Sequence, residues 1–470
     1  MKPYTTFRQN VLDKKQTCVD QTQQVLNEID KCKDDNYFLE INEDALVSAA
    51  ESDKRFQNGN PRPLEGMLVG VKDNISVIGM KATCASKMLA TYRPVYDATA
   101  IKRIKDAGAI LLGKTNMDEF AMGSSNETSY FGGCKNPVND EYVTGGSSGG
   151  SAGAVALGLT HTALGTDTGG SIRQPASLCG TVGFKPTYGR VSRFGLIAFA
   201  SSLDQIGTLS ANVDDTALLF DTMSGIDAND STTANLPPAN TYAEINQPLP
   251  TQFNVGLIPD TILKNCSEDV LNNYHQQLDK LRNMGAIFHP LEFHFIDVCV
   301  PTYIVLTTSE ASSNLARLDG IKFGHRAQTH TPEEYADVVA LTRGEGFGRE
   351  VKRRLIMGTI ILTNGDGKNY VSKARKLRSL IRKNVLEAFE QVDIIFLPTT
   401  TSTAFKCNEH TADPVAMYLS DFFTTLANLS GIPAISVPTG NAPNGLPIGM
   451  QFQAKPWNES ALFRFAKQLM

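Results

Sequence analysis

From Gly66 onward the chain alternates short apolar runs, bounded by glycine, proline and asparagine, with longer stretches of helical periodicity. The apolar runs at residues 67–71, 109–112, 160–165, 254–258, 394–397, 434–437 and 448–453 are too short for stable helices and read as buried strands. Between them, residues 98–107, 151–159, 268–284 and 373–389 carry the spacing of helices. Such alternation predicts an α/β fold, a mixed central sheet covered by helices on both faces. Before Gly66, apolar residues such as Val19, Val25, Leu26 and Ile29 recur at helical spacing, which predicts an N-terminal helical layer over about residues 1–60. Residues 227–250, rich in Asn, Pro, Thr and Asp, read as a long surface connection. No shift of composition marks a boundary, so the expectation is one large domain over residues 1–470, with its core from about residue 61.

Composition narrows the function classes. The chain is 41% hydrophobic and 20% charged, as in ordinary globular proteins, and no segment approaches about 18 uninterrupted apolar residues. The start, Met1-Lys2-Pro3-Tyr4, lacks the apolar core of a signal peptide, which predicts a cytoplasmic protein. A net charge of −5 with acids and bases dispersed argues against a broad phosphate-binding surface, so contact with RNA is expected to run through a partner. Cys18, Cys32, Cys84, Cys134, Cys179, Cys266, Cys299 and Cys407 lie far apart without a C-x-x-C pair, and they read as reduced thiols. The scattered histidines, His289 and His294 included, predict no metal site.

One motif match fails on physics. Gly108-Ala-Ile-Leu-Leu-Gly113-Lys114-Thr115 satisfies the G-x-x-x-x-G-K-S/T pattern of a phosphate-binding loop. A phosphate cradle needs the residues between its glycines in a loop with converging N–H groups. Here those residues are predicted to be a buried strand, so the ATPase reading is rejected.

Chemistry concentrates in two small-residue runs and one lysine. Thr144-Gly-Gly-Ser147-Ser148-Gly-Gly-Ser151 could be a flexible linker, but an alanine-rich helix follows it directly and an aromatic segment precedes it, which fixes the backbone on both sides. Gly165-Thr-Asp-Thr-Gly169-Gly170-Ser171-Ile-Arg173 extends a predicted strand, and its glycines permit the sharp turn that aims successive N–H groups at one point. Ser171 is placed as a nucleophile there, although an isolated Gly-Ser reads by default as a helix cap. No histidine occupies a comparable context, which leaves lysine as the base. Lys72 ends an apolar strand, where burial lowers an ammonium pKa; a lone strand-end lysine is more often solvent-facing, and its context Gly70-Val-Lys72-Asp-Asn74 singles it out.

Together these three segments resemble the amidase signature family. The resemblance implies Lys72 as general base, Ser147 as a bridging serine after a cis peptide bond at Gly146, and Ser171 as the acylated nucleophile. It further implies an oxyanion hole from the N–H groups of Thr168, Gly169, Gly170 and Ser171. Asn116-Met-Asp-Glu-Phe-Ala-Met-Gly123, Lys185-Pro-Thr-Tyr-Gly-Arg-Val-Ser-Arg-Phe-Gly-Leu196, Ala200-Ser-Ser-Leu-Asp-Gln-Ile-Gly207 and Ser313-Asn-Leu-Ala-Arg-Leu-Asp-Gly320 are similar to the branch of the family that forms the A subunits of tRNA-dependent amidotransferases. The one departure is a slightly early end, soon after Leu469.

That branch implies hydrolysis of glutamine, with ammonia passed to a B subunit that uses ATP and Mg to activate Glu-tRNA(Gln) or Asp-tRNA(Asn). A small C subunit would brace the pair, and this chain would carry no cofactor, metal or membrane contact of its own. A site for zwitterionic glutamine needs a cation for the carboxylate and an anion for the ammonium. By resemblance these are Arg354 and Asp421, with neighbouring Arg353 an open alternative to Arg354. A stand-alone amidase acting on small amides is the rival reading.

Overall fold

The computed structural model describes residues 1–328, 335–363, 367–411 and 413–470. Every predicted run is a strand, and four further strands join them. In chain order they are β1 (Phe38–Ile41), β2 (Leu68–Lys72), β3 (Ile110–Thr115), β4 (Thr162–Thr166), β5 (Val182–Lys185), β6 (Ile206–Ser210), β7 (Phe253–Leu257), β8 (Ala286–Pro290), β9 (Ile394–Pro398), β10 (Ala434–Asn441) and β11 (Pro447–Gln453). They form one mixed 11-stranded sheet in the order β1-β3-β2-β4-β6-β5-β10-β11-β9-β7-β8, flanked by helices. Strands β2, β3, β4, β9 and β11 are buried along their whole length, which is why their sequences read as continuous apolar runs instead of alternating ones. No helix among the described residues is long and apolar enough to cross a membrane.

The N-terminal layer departs from expectation. Its helices Tyr4–Leu12, Cys18–Lys31 and Ala45–Gln57 are present, but Phe38–Ile41 is the edge strand β1, antiparallel to β3 with Phe38 opposite Thr115 and Ile41 opposite Gly113. Four residues are too few to break a helical pattern visibly, and the pairing that makes them a strand comes from a segment far along the chain. The 110–115 segment inside the phosphate-loop pattern is strand β3, as its apolar run implied. Lys114 there is fully buried and donates to the Ile75 carbonyl at 2.6 Å, with the Asp73 carboxylate 3.6 Å away.

Strands β3, β2 and β4 are parallel neighbours, with Lys72 opposite Thr115 and Val71 opposite Leu164. Their carboxyl ends therefore emerge side by side, the usual place for a site in an open α/β sheet. Lys72 ends β2, the segment 116–123 follows β3, and the turn 167–171 follows β4. The Gly149–Ala156 helix lies against β2, β3, β4 and β6. Close approach is possible because it starts with glycines: a Cβ on Gly150 would fall 2.5 Å from the Asn116 nitrogen and 2.7 Å from the Tyr37 carbonyl oxygen.

The turn after β4 is held by a buried ion pair. Asp167 accepts from Arg173 Nε at 3.0 Å and Nη2 at 3.1 Å, and both side chains have no exposed surface. Asp167 also accepts from the N–H of Gly170 at 2.9 Å and from Asn428 Nδ2 at 2.8 Å. The remaining guanidinium valences reach the Thr424 carbonyl at 3.0 Å, Gln451 Oε1 at 3.1 Å and Asn428 Oδ1 at 2.7 Å. Burial alone would raise the Asp167 pKa, but the charge and hydrogen bonds of Arg173 bring it below the ordinary value.

Arg173→Ala leaves a buried carboxylate unpaired and is expected to cost about 3–5 kcal/mol in denaturant unfolding. Gly150→Ala, which would stabilise an isolated helix by about 1 kcal/mol, is expected here to lower stability by about 1–2 kcal/mol, because the added methyl meets fixed backbone. Thermal or urea unfolding measures both signs.

Candidate active site

Lys72 has no exposed surface, and its Nζ donates to Ser147 Oγ at 2.8 Å, Ser148 Oγ at 2.8 Å and the Thr166 carbonyl at 3.3 Å. Burial pulls its pKa down to about 7, against the partly opposing charges of Asp118, Asp167 and Asp204. The peptide bond between Gly146 and Ser147 is cis, as the resemblance implied. Ser148 is a partner that sequence reasoning passed over. Its hydroxyl lies 3.3 Å from the Thr166 carbonyl, to which it donates, so toward Lys72 it serves as an acceptor.

Ser171 is 5% exposed and follows Gly170, whose φ of +143° suits glycine. The Ser148 N–H donates to the Ser171 carbonyl at 3.1 Å and ties the two small-residue runs together. The Ser171 hydroxyl has no hydrogen-bond partner among the described residues, so the structure brings Lys72 and Ser147 into contact but does not close the second link from Ser147 to Ser171. Of the four amides that the resemblance implies, one is engaged by a protein acceptor. The Gly170 N–H is turned onto Asp167 Oδ1, whereas the N–H groups of Thr168, Gly169 and Ser171 meet no protein acceptor among the described residues. Asp167 claims the one amide because its carboxylate is anchored beneath the turn.

A second cluster borders the turn. Asp421, at the start of the Phe422–Ser430 helix, accepts from Ser124 Oγ at 2.6 Å through Oδ2, while its Oδ1 is buried without a partner. A Cβ on Gly170 would sit 3.1 Å from that Oδ1, which places the carboxylate beside the turn that carries Ser171. Burial raises the Asp421 pKa to about 7. Arg354, on the Arg349–Thr363 helix, is 5% exposed and donates through Nε to Glu350 Oε1 at 2.7 Å. Its guanidinium lies 5.6 Å from the Phe199 ring and 5.1 Å from the Tyr418 ring, and its Nη groups have no protein acceptor among the described residues. Arg353 also pairs with Glu350, but its side chain is 30% exposed. Tyr303 completes the wall: its hydroxyl lies 2.8 Å from the Cβ position of Gly169.

Sequence reasoning missed Ser124, Ser148, Tyr303 and Glu350. Ser148 stood inside the quoted Gly/Ser run, where nothing set it apart from its neighbours, whereas Ser124, Tyr303 and Glu350 lie in ordinary helical or loop stretches without a local mark of a site and are brought to it by tertiary packing. Asp167 and Arg173 stood within the quoted motif, where only their spacing of six hinted at a pair across the turn.

The family model described as Amidase matches residues 20–463. The A subunit of a glutamyl-tRNA(Gln) amidotransferase from Geotalea daltonii is 47% identical over 92% of this chain and 88% of its own length. The protein of the same name from a Marinomonas species is 44% identical over 99% of this chain and 95% of its own. Among solved structures, the A subunit of the glutamyl-tRNA(Gln) amidotransferase from Thermotoga maritima superposes with a TM-score of 0.79 at 40% identity, covering 95% of this chain and 90% of that one. Native peptide amidase from Stenotrophomonas maltophilia superposes with a TM-score of 0.82 at 29% identity, covering 100% and 96%. The chain belongs to the amidase family.

Proposed function

We propose that this chain, acting as one domain, is the glutamine-hydrolysing subunit of a tRNA-dependent amidotransferase, with Lys72, Ser147 and Ser171 as its catalytic residues. The observation that carries the reading is a fully buried Lys72 at 2.8 Å from Ser147, next to a turn that bears an unpartnered serine hydroxyl and three unpartnered amides. The names of relatives at 44–47% identity support the tRNA-dependent branch over a stand-alone amidase.

Neutral Lys72 takes a proton from Ser147 Oγ, which takes one from Ser171 Oγ as that oxygen bonds to the side-chain carbonyl carbon of glutamine. The N–H groups of Thr168, Gly169 and Ser171 receive the oxyanion. On collapse the C–N bond breaks, the proton returns through Ser147 to nitrogen, and ammonia leaves a γ-glutamyl ester on Ser171. Water, deprotonated along the same path, attacks the ester and releases glutamate. Arg354 holds the substrate carboxylate; its burial and free Nη groups favour it over Arg353. Asp421, with its unpartnered Oδ1, holds the ammonium. In this reading a cytoplasmic complex with B and C subunits uses the ammonia. The B subunit supplies ATP and Mg and contacts the mischarged Glu-tRNA(Gln) or Asp-tRNA(Asn).

In the co-expressed complex, Ser171→Ala is expected to lower glutamine-dependent ammonia release by at least about 10³-fold; activity near wild type would remove Ser171 from the mechanism. The pH profile tests Lys72 and Asp421 together. Lys72 must lose its proton to act and Asp421 must lose its proton to bind an ammonium, and both have pKa values near about 7. Activity is therefore lost as pH falls through that value. The expected acid limb of log kcat/KM approaches a slope of about two, falling to about one in Asp421→Asn.

A further inference from the structure

The segment Ala200-Ser-Ser-Leu-Asp204-Gln-Ile-Gly207 has no part in the mechanism above, yet its aspartate sits in the wall of the site. Asp204 is 2% exposed, and its two oxygens face different structures. Oδ1 accepts from the Thr168 hydroxyl at 2.7 Å, in the turn that carries Ser171. Oδ2 accepts from the N–H of Phe199 at 2.9 Å and of Ala200 at 3.0 Å. The Phe199 ring is 2% exposed and stands 5.6 Å from the Arg354 guanidinium. The residue after Asp204 continues the link, since the Gln205 carbonyl accepts from the Asp167 N–H at 2.8 Å.

We propose that Asp204 is a positioning residue, a clamp that fixes the nucleophile turn through Thr168 and the substrate-carboxylate wall through Phe199, and so sets the distance between them. The inference rests on the glutaminase reading. A carboxylate suits the task because it accepts at both oxygens, and here it receives three hydrogen bonds from two segments more than 30 positions apart (residue 168 and residues 199–200). A hydroxyl or a water could satisfy either segment but would not couple them.

A residue that only stabilised the fold would alter yield or melting temperature and leave the kinetic constants of the folded enzyme alone. A clamp predicts a split of kcat from KM. Ammonia release by the co-expressed complex is measured over a range of glutamine concentrations. Thr168→Ala, which keeps its backbone N–H, is expected to lower kcat with little change in KM, and Phe199→Ala to raise KM with little change in kcat. Asp204→Ala is expected to do both, with kcat down by about 10²-fold and KM up by about 10-fold, a loss of the size that misplacement by about 1 Å produces. Asp204→Asn keeps acceptor and polar contacts on the two sides and is expected to recover at least about 10-fold of the kcat/KM lost in Asp204→Ala.

Folded Asp204→Ala with both constants within about threefold of wild type overturns the proposal, as does a change in kcat alone. If Asp204→Ala does not fold, the Thr168→Ala and Phe199→Ala double-mutant cycle decides. Coupling above about fivefold in kcat/KM supports the clamp, and additivity within about twofold overturns it. Wild-type complex that releases no ammonia, or Ser171→Ala as active as wild type, would sink the glutaminase reading itself, an outcome separate from the clamp's failure.

Discussion

The buried pair of Asp167 and Arg173 is the constraint on which the site depends. Two charges without exposed surface persist only where nearly every polar valence is met, and here the partners come from Gly170, Ile172, Thr424, Asn428 and Gln451. Those partners belong to the turn that carries Ser171 and the residue after it, the Phe422–Ser430 helix and strand β11. One ion pair thus fixes the end of β4, the turn bearing Ser171 and the helix that begins beside Asp421 against one another. It also commits the Gly170 amide to structure, so three amides instead of four remain free toward the site.

Hydrogen-bond partners set Lys72 apart from two other buried lysines. Lys72, Lys114 and Lys185 are all fully buried, and burial lowers the pKa of each. Lys114 donates to the carbonyls of Ile75 and Asp73, and Lys185 to those of Pro186 and Ile432. A carbonyl accepts and never returns a proton. Lys72 reaches one carbonyl, that of Thr166, but also faces the hydroxyls of Ser147 and Ser148, and the Ser147 hydroxyl can reverse its role once the amine is neutral. The same logic explains Asp421, whose unpartnered buried Oδ1 is held at a cost that a bound ammonium would offset.

Much of the sheet was legible because strands buried on both faces must be apolar without interruption. The runs that became β2, β3, β4, β7, β9, β10 and β11 stand out on that ground. Strands β5 and β6 did not: Val182-Gly-Phe-Lys185 and Ile206-Gly-Thr-Leu-Ser210 dilute the apolar signal with glycine and polar residues. β8 and β1 are sheet edges, half-buried and short, so neither alternation nor a continuous run marks them. Lys72 and the two glycine-serine runs were legible through their unusual composition. Ser124 and Tyr303 were not, since each acquires its place only from what packs beside it.

The sequence by itself determined the α/β alternation, the buried strand that ends in Lys72, and the small residues without which the 149–156 helix and the 167–171 turn could not approach their neighbours. These are local matters, set by side-chain volume, hydrophobicity and backbone freedom. Tertiary structure decided that β2 and β4 lie parallel and adjacent, which sets Lys72 beside Thr166 and Ser147. It likewise decided that Gly170 points its amide at Asp167, and that Arg354 and not Arg353 turns inward. Register between strands and the partners of a buried lysine depend on segments well separated in the chain, and no local property of either segment fixes them.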